Sequence, residues 1–548
     1  FRSKAVFRAG SRARPAAVTT VVLLALPAML PLLSALAAWT APAGDIWQHQ
    51  LQHVLPRVTL NTIGLLVIVA TATALLGTGL GWLVAGHEFP GRNFFGWALL
   101  LPLAVPGYVL AVVFAGALDF AGPLQTALRS VFGDGLQLPA IRSLGGAALV
   151  LTLTLYPYVY MLARVAFETA GARTLEAAQS LGLDRRAAFR RLLLPMARPA
   201  IAAGVALACM ETLADFGVVS ALNVDTYTTS IYRAWYGMYS VAAALQMAAV
   251  LGLFAIAGVW LERRLRGNRG FATNRASSDV LSRQELKGAP AVAALLAATS
   301  VLALAFVLPM LQLIEWALKH ADTDLDARYW GFAARSVMLA GSGAVVVVTA
   351  ALILGYALRG ESRRWLHALG RLANVGYAIP GTVLAVGLFA PIAALNGWLQ
   401  DWLDAGWGAQ APQLFLQGTL LTMLVAYLAR FLAVGSGPVE SGLARIHRNL
   451  DEAAENLGVR GLARLRRVHL PLLRNSLVAA SVLVFVDLMK ELPITLMTRP
   501  FGFETLAVRV FEMASEGEWE RAALPSVLIV LTGIVPVVLL ARRVIRVA

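Results

Sequence analysis

The sequence predicts an all-α integral membrane protein of about 12 transmembrane helices, arranged as two parallel six-helix repeats. Three observations carry that expectation. The chain of 548 residues is 58% hydrophobic and only 14% charged, with a mean hydropathy of +0.69, more apolar surface than a soluble fold can hide. Apolar runs of spanning length recur along it, separated by short polar segments. A charged stretch between such runs occurs twice, as Glu176-Ala177-Ala178 with Gly182 and Leu194-Pro195, then as Glu452-Ala453-Ala454 with Gly458 and Leu470-Pro471, at identical internal spacing.

Five basic residues, Arg2, Lys4, Arg8, Arg12 and Arg14, precede the first apolar run, Val18 to Ala38. That run is longer than the core of a signal peptide, so it is expected to be the first transmembrane helix, entering from the cytoplasm. Further spans are expected near Thr59 to Ala85, Phe94 to Leu118, Gly145 to Phe167, Ala197 to Ala221 and Val241 to Leu261. These six make a first repeat, 1–262, with the first repeated loop at 168–196. A polar linker, 263–289, follows. The second repeat, 290–548, has its loop at 437–474 and spans near Pro290 to Trp316, Phe332 to Leu358, Leu372 to Leu395, Leu414 to Gly435, Asn475 to Met497 and Leu524 to Ala541.

Basic residues orient the chain. With the N-terminus inside, 35 of the 46 lie on the cytoplasmic side, which places both termini and both loops in the cytoplasm of a multi-pass protein. The net charge of +15 is dispersed over short loops and is not gathered on one face, so nucleic acid is not an expected partner; the lipid bilayer is. No lysine follows a glycine, which excludes a phosphate-binding loop of the Gly-Lys-Ser/Thr type. Cys209 is the only cysteine, so neither an intrachain disulfide nor a thiolate zinc site is possible, and it is expected to fill space in a helix.

The repetition extends beyond the loops. Asn61, Gly86, Pro106 and Gly107 lie 274 residues before Arg335, Gly360, Pro380 and Gly381. From Glu176 onward the offset is 276, relating Glu211 to Asp487, Asp215 to Glu491 and Arg233 to Arg509. Six spans per repeat is an even number, so the halves share one orientation and a pseudo-two-fold axis along the membrane normal. Leu175 to Leu181 and Leu450 to Leu457 are helix-forming runs that each end at a glycine able to adopt the left-handed conformation. Arginines follow in both, and Pro195 and Pro471 redirect the chain into the next span.

Four carboxylates fall inside predicted spans. Glu211 and Asp215, and their counterparts Asp487 and Glu491, are spaced four apart and so share a helical face. Intramembrane ionisable groups line pathways or pair with one another, and oxygen ligands of this kind suit a hard cation. They equally suit helix caps near the outer membrane boundary, or partners for Lys490, Arg233 or Arg509. Pro27, Pro31 and Pro157 are expected to shape kinks, and Trp39, Trp47, Trp316 and Trp330 to anchor at the interface. His447 and His469 have no metal-ligand spacing and are expected at the surface.

The Glu-Ala-Ala, Gly, Leu-Pro pattern resembles the cytoplasmic coupling loop of binding-protein-dependent ABC importer permeases of the type I fold, here with two permease halves fused. The resemblance implies that Glu176, Ala177, Ala178 and Gly182 dock one ATPase subunit, and Glu452, Ala453, Ala454 and Gly458 a second copy. ATP and Mg would be bound by those partners, with no cofactor on this chain. A periplasmic binding protein would deliver substrate across the bacterial inner membrane. The segments Met210 to Gly217, Thr228 to Trp235, Lys490 to Pro493 and Arg499-Pro500-Phe501 are similar to those of ferric-iron permeases. This implies a transient Fe(III) path through Glu211, Asp215, Asp487 and Glu491. Permeases for thiamine, phosphonates or polyamines share the framework, and an ion-coupled secondary transporter or a non-transporting scaffold shares the topology.

Overall fold

The computed structural model describes residues 15–40, 44–133, 138–180, 182–266, 283–359, 361–407, 413 and 415–547. Most of the expected 263–289 linker lies outside these. Among the described residues the chain is helical apart from turns and one pair of two-residue strands, His87–Glu88 with Gln284–Glu285. Eleven helical segments are long and apolar enough to cross a membrane, and a shorter apolar stretch, Ala523–Val538, supplies a twelfth candidate.

Four spans expected to be continuous are interrupted. The third breaks between Arg92–Ala98 and Gly107–Leu118, with a tight turn at Leu101–Ala104. The ninth breaks between Arg364–Ala373 and Gly381–Trp407. Both breaks end at a Pro-Gly pair because proline disfavours helix in the residue before it yet suits a helix start. The fifth ends at Ala214 and resumes at Gly217–Ala221; the eleventh ends at Lys490 and resumes at Pro493–Thr498. The same positions of the two repeats are therefore broken in the same way.

The chain forms two compact units that do not follow the repeat boundary. One comprises residues 1–34, 339–379 and 387–488; the other comprises 35–338, 380–386 and 489–548. In the smaller unit the first helix, Pro15–Ala37, lies against the second repeat. A Cβ on Gly387 would stand 2.5 Å from Pro31 Cα, so only glycine permits this approach. In the larger unit, helices Leu55–Gly86 and Leu194–Ala214 close on Leu144–Ser180 through Gly77 and Gly204. Added Cβ atoms there would lie 2.6 Å from Val159 Cβ and 2.7 Å from Val159 Cα. The second repeat's first span also packs there on the first repeat: Trp316 is 3% exposed, and its ring would be 2.7 Å from a Cβ on Gly116. Trp316 is thus a core residue, not the expected interfacial anchor, whereas Trp39 and Trp330 are exposed.

The two repeats hold their outer turns alike. Asn61 donates to the carbonyl of Asp225 at 3.0 Å, and its counterpart Arg335 donates to that of Gly502 at 3.0 Å.

Candidate functional site

The repeated loops are built on one backbone device. In the first, helix Leu144–Ser180 runs without interruption from the membrane through Glu176, Ala177 and Ala178; the side chains of Glu176 and Ala177 lie outside what the structure describes. Gly182 has φ +80°, and the N–H of Leu183 donates to the carbonyl of Ala178 at 3.0 Å. In the second, Gly458 has φ +77°, and Val459 N–H donates to Ala454 at 2.8 Å. This is the left-handed helix stop in which a residue past the glycine reaches back to satisfy an orphan carbonyl. Ala178 and Ala454 are both buried, at 1% and 6% exposure, while Glu452 and Ala453 face outward. The second alanine of the motif therefore seats each loop on its own protein, and in the second loop the first two motif residues are presented. Leu457 beside them is 82% exposed and Leu450 is also exposed, an apolar surface at the tip.

The seats beneath the loops differ in chemistry. Under the first lies an apolar cluster that includes Ala85, Phe167, Ala178, Leu193 and Ala197. Under the second, the counterparts of Ala85, Leu175 and Leu193 are Arg359, Asp451 and His469. Arg359 donates to Asp451 Oδ2 from Nη2 at 2.8 Å and from Nε at 3.2 Å, and also to the carbonyls of Leu443 and Ile446. His469 Nε2 lies 2.7 Å from Asp451 Oδ1. Burial pushes the Asp451 carboxyl up, but the hydrogen bonds from Arg359 and His469 outweigh it and hold the carboxyl below its ordinary range. Here the coupling segment is a separate helix, Arg448–Asn456, because the preceding helix ends at Arg445 and His447 is extended. Arg359 caps that preceding helix and anchors the next one. His469 is fully buried, which corrects the expectation of a surface residue; His447 is exposed as expected.

At the opposite end of the spans that leave the loops sit the predicted carboxylates. Asp215 lies at the fifth-span break and its Oδ1 accepts the N–H groups of Val218 at 3.0 Å and Val219 at 3.1 Å. Glu491, 6% exposed, occupies the equivalent break and its Oε1 accepts from Ile494 N–H at 3.3 Å. Both cap the short helix that follows. Glu211 and Asp487 lie one turn earlier and are half-buried. The first break is locked by the Pro106-Gly107-Tyr108 helix start: a Cβ on Gly217 would fall 2.5 Å from Tyr108 Cβ, and one on Gly107 would fall 2.9 Å from Val218 Cγ2. The first Pro-Gly pair thus serves close packing at its break. Lys490 donates to the Leu103 carbonyl at 3.0 Å; Arg233 pairs with Asp225, and Arg509 with Glu512 at 3.6 Å.

Among the described residues, no three His, Cys, Asp or Glu side chains are grouped to hold a metal ion. Helix capping directs a carboxylate oxygen of Asp215 and of Glu491 to backbone N–H groups. Cys209 lies half-buried within helix Leu194–Ala214.

Two segments of the chain, 77–267 and 347–546, match the family described as the binding-protein-dependent transport system inner membrane component. The chain belongs to this family. The two matches place one permease domain in each repeat, and each contains one of the repeated loops. The permease is 24% identical over 535 residues to the Fe(3+)-transport system permease protein FbpB 2 of Haemophilus influenzae, covering 95% of this chain and 97% of the relative. It is 23% identical to the ferric transport system permease protein FbpB of Actinobacillus pleuropneumoniae, covering 79% and 63%. It is 27% identical to the molybdenum transport system permease protein ModB of Haemophilus influenzae, covering 38% and 96%. Shorter relatives of the last kind correspond to one repeat, as expected if the chain is two permeases fused.

The sequence pattern did not reveal Arg359 and Asp451 as anchors of the second loop. The 274 and 276 offsets carried a signal for these two, since they set charged residues opposite apolar ones.

Proposed function

We propose that this permease carries ferric iron inward, driven by ATP hydrolysis on two copies of a separate ABC ATPase subunit, after delivery by a periplasmic binding protein. The observation that carries the coupling half of this reading is the pair of matched loops, each with its second motif alanine buried and its helix closed at a left-handed glycine. In the second loop, where the side chains are described, Glu452, Ala453 and Leu457 are outward-facing. A rigid, apolar-tipped helix of this kind suits a cleft on a partner protein. The basic-residue excess supports a cytoplasmic position for both loops and both termini.

The iron half rests on the full-length likeness to a permease named for Fe(3+) transport and on the hard oxygen groups near the outer end of the fifth and eleventh spans. Glu211, Asp215, Asp487 and Glu491 are proposed to be touched in succession by the ion, each weakly. Capping engages one carboxylate oxygen of Asp215 and one of Glu491, and an open arrangement of this kind favours passage over retention. Molybdenum, a phosphonate, thiamine or a polyamine is the second reading of the substrate; among the relatives are permeases named for molybdenum and for 2-aminoethylphosphonate. Proteoliposomes holding the permease, its ATPase and its binding protein test both halves: ATP-dependent uptake of Fe(III) is expected, and uptake of molybdate without iron would overturn the substrate.

A further inference from the structure

A cavity of about 390 Å³ opens within the larger unit, lined from the first repeat by Phe216 and by Tyr232 and Arg233, and from the second by Phe511, Glu512 and Glu516. It lies one residue past Asp215, at the end of helix Leu194–Ala214 remote from the first coupling loop. That helix is 21 residues long, or about 30 Å at 1.5 Å per residue, so the cavity is on the opposite membrane face from the loop. Its floor is aromatic: Phe216 packs on Tyr232 at 5.2 Å and on Phe511 at 5.5 Å between ring centroids. Serine and threonine hydroxyls complete the rim.

The charged groups are of two kinds. Glu512 and Glu516 stand one turn apart on helix Leu506–Glu516 and so share a face. Arg499 holds Glu512 at 2.9 Å, fixing one carboxylate while Glu516 is exposed. From the first repeat, Arg233 lines the same cavity as a half-exposed guanidinium tethered to Asp225. Carboxylates and a phenol are donors for a hard cation; a guanidinium is a donor to an oxyanion. Neither a bare cation nor a bare anion uses both walls. A hard, multiply charged cation exchanges its water ligands for oxygen anions where these are supplied, and that complex uses both. A cavity of this size has room for an ion with its shell of about six oxygens, at roughly 30 Å³ per water-sized ligand.

We propose that this cavity is the outer receiving site of the permease, and that it takes a hard cation as its complex with a small carboxylate or other oxyanion, the cation toward Glu512, Glu516 and Tyr232 and the anion toward Arg233. The proposal rests on the iron reading above and deepens it: cargo is received as a complex, and only the cation passes to Asp215 below. Because its lining comes from both repeats, a site of this kind is complete only when the two repeats are together in one chain or one complex.

The test uses the full permease with its ATPase and binding protein in proteoliposomes, comparing Fe(III)-citrate uptake with ATPase stimulation by the iron-loaded binding protein. Glu516→Gln and Glu512→Gln together are expected to lower uptake at least tenfold while stimulation stays within twofold, and Arg233→Gln to weaken dependence on citrate. In the purified permease, Tb(III) luminescence titrated with and without citrate reads binding directly. Citrate-enhanced binding that weakens at least tenfold in the double variant is the expected result. Glu516→Gln alone, which leaves the Arg499 pair intact, is expected to weaken it at least threefold. Wild-type uptake of iron with unchanged uptake and Tb(III) binding in all three variants overturns the receiving site and leaves the iron reading standing. Absence of iron uptake by the wild type, with molybdate uptake present, overturns both.

Discussion

Replacing Asp451 with Asn tests whether a polar clamp holds the second coupling helix. The side chains of Asp451 and Arg359 are each 18% exposed, and His469 is 0% exposed. Asp451→Asn preserves shape but removes the charge and sets an amide N–H₂ against a donor. Hydrogen bonds to charged groups contribute about 1.5–3 kcal/mol each, and breaking a buried pair on one side costs about 3–5 kcal/mol. Partial solvent access reduces both, giving an expected local loss of about 2–4 kcal/mol. At 1.36 kcal/mol per factor of ten, amide exchange in Arg448–Asn456 should accelerate roughly 30- to 900-fold. The first coupling segment, seated on an apolar cluster, should keep its wild-type exchange. ATPase stimulation by loaded binding protein should fall in parallel, because a loosened helix transmits less motion. Exchange within threefold of wild type would refute the clamp, and equal acceleration in both loops would show global destabilisation instead.

A carboxyl held below its ordinary value of 3.8 contributes stability that is fully present above that value and lost as pH falls through the lower folded value. The exchange difference between wild type and Asp451→Asn should therefore be constant from about pH 5 to 8 and shrink only below about pH 4; a difference that disappears near pH 6 contradicts the assignment to Asp451. Gly458→Ala places a Cβ at φ +77° and should destabilise the loop end by about 1–2 kcal/mol, seen as weaker retention of the ATPase during purification. Retention equal to wild type would show that the left-handed stop is dispensable. Gly217→Ala meets Tyr108 Cβ at 2.5 Å and should cost about 1–3 kcal/mol by overpacking, lowering thermal stability, whereas Ser220→Ala in the same short helix should not; equal midpoints refute the packing role of the Pro-Gly start. Changing Glu211, Asp215, Asp487 and Glu491 together to their amides should abolish iron uptake in an assembled transporter, and unimpaired uptake removes them from the path.

The membrane class, the two repeats and the loop geometry were legible in the sequence because each depends on local rules. Hydropathy marks a span irrespective of its neighbours, and a glycine closing a helix needs only its own backbone freedom. The sequence offered helix caps at Asp215 and Glu491 as one of two readings but not the breaks themselves: an apolar run does not reveal where a carboxylate will turn back to cap a new helix. Compact units that ignore the repeat boundary were equally hidden, since the contact of Pro31 with Gly387 depends on residues over 350 positions apart. His469 was misjudged for the same reason. Its neighbours in sequence are Arg466, Arg467 and Leu470, which suggest a surface, whereas its burial is decided by Asp451 and by Tyr356, whose ring is 5.6 Å away.

Stimulation of the ATPase by loaded binding proteins tests the central claim most directly. The permease is co-purified with its ATPase and reconstituted, and hydrolysis is measured with Fe(III)-loaded, empty and molybdate-loaded binding proteins. The ATPase is expected to bind at two copies per permease chain, and only the iron-loaded protein is expected to stimulate it. An ATPase that binds but responds to molybdate alone contradicts the iron assignment. Failure of any ATPase to bind contradicts the coupling role of both loops.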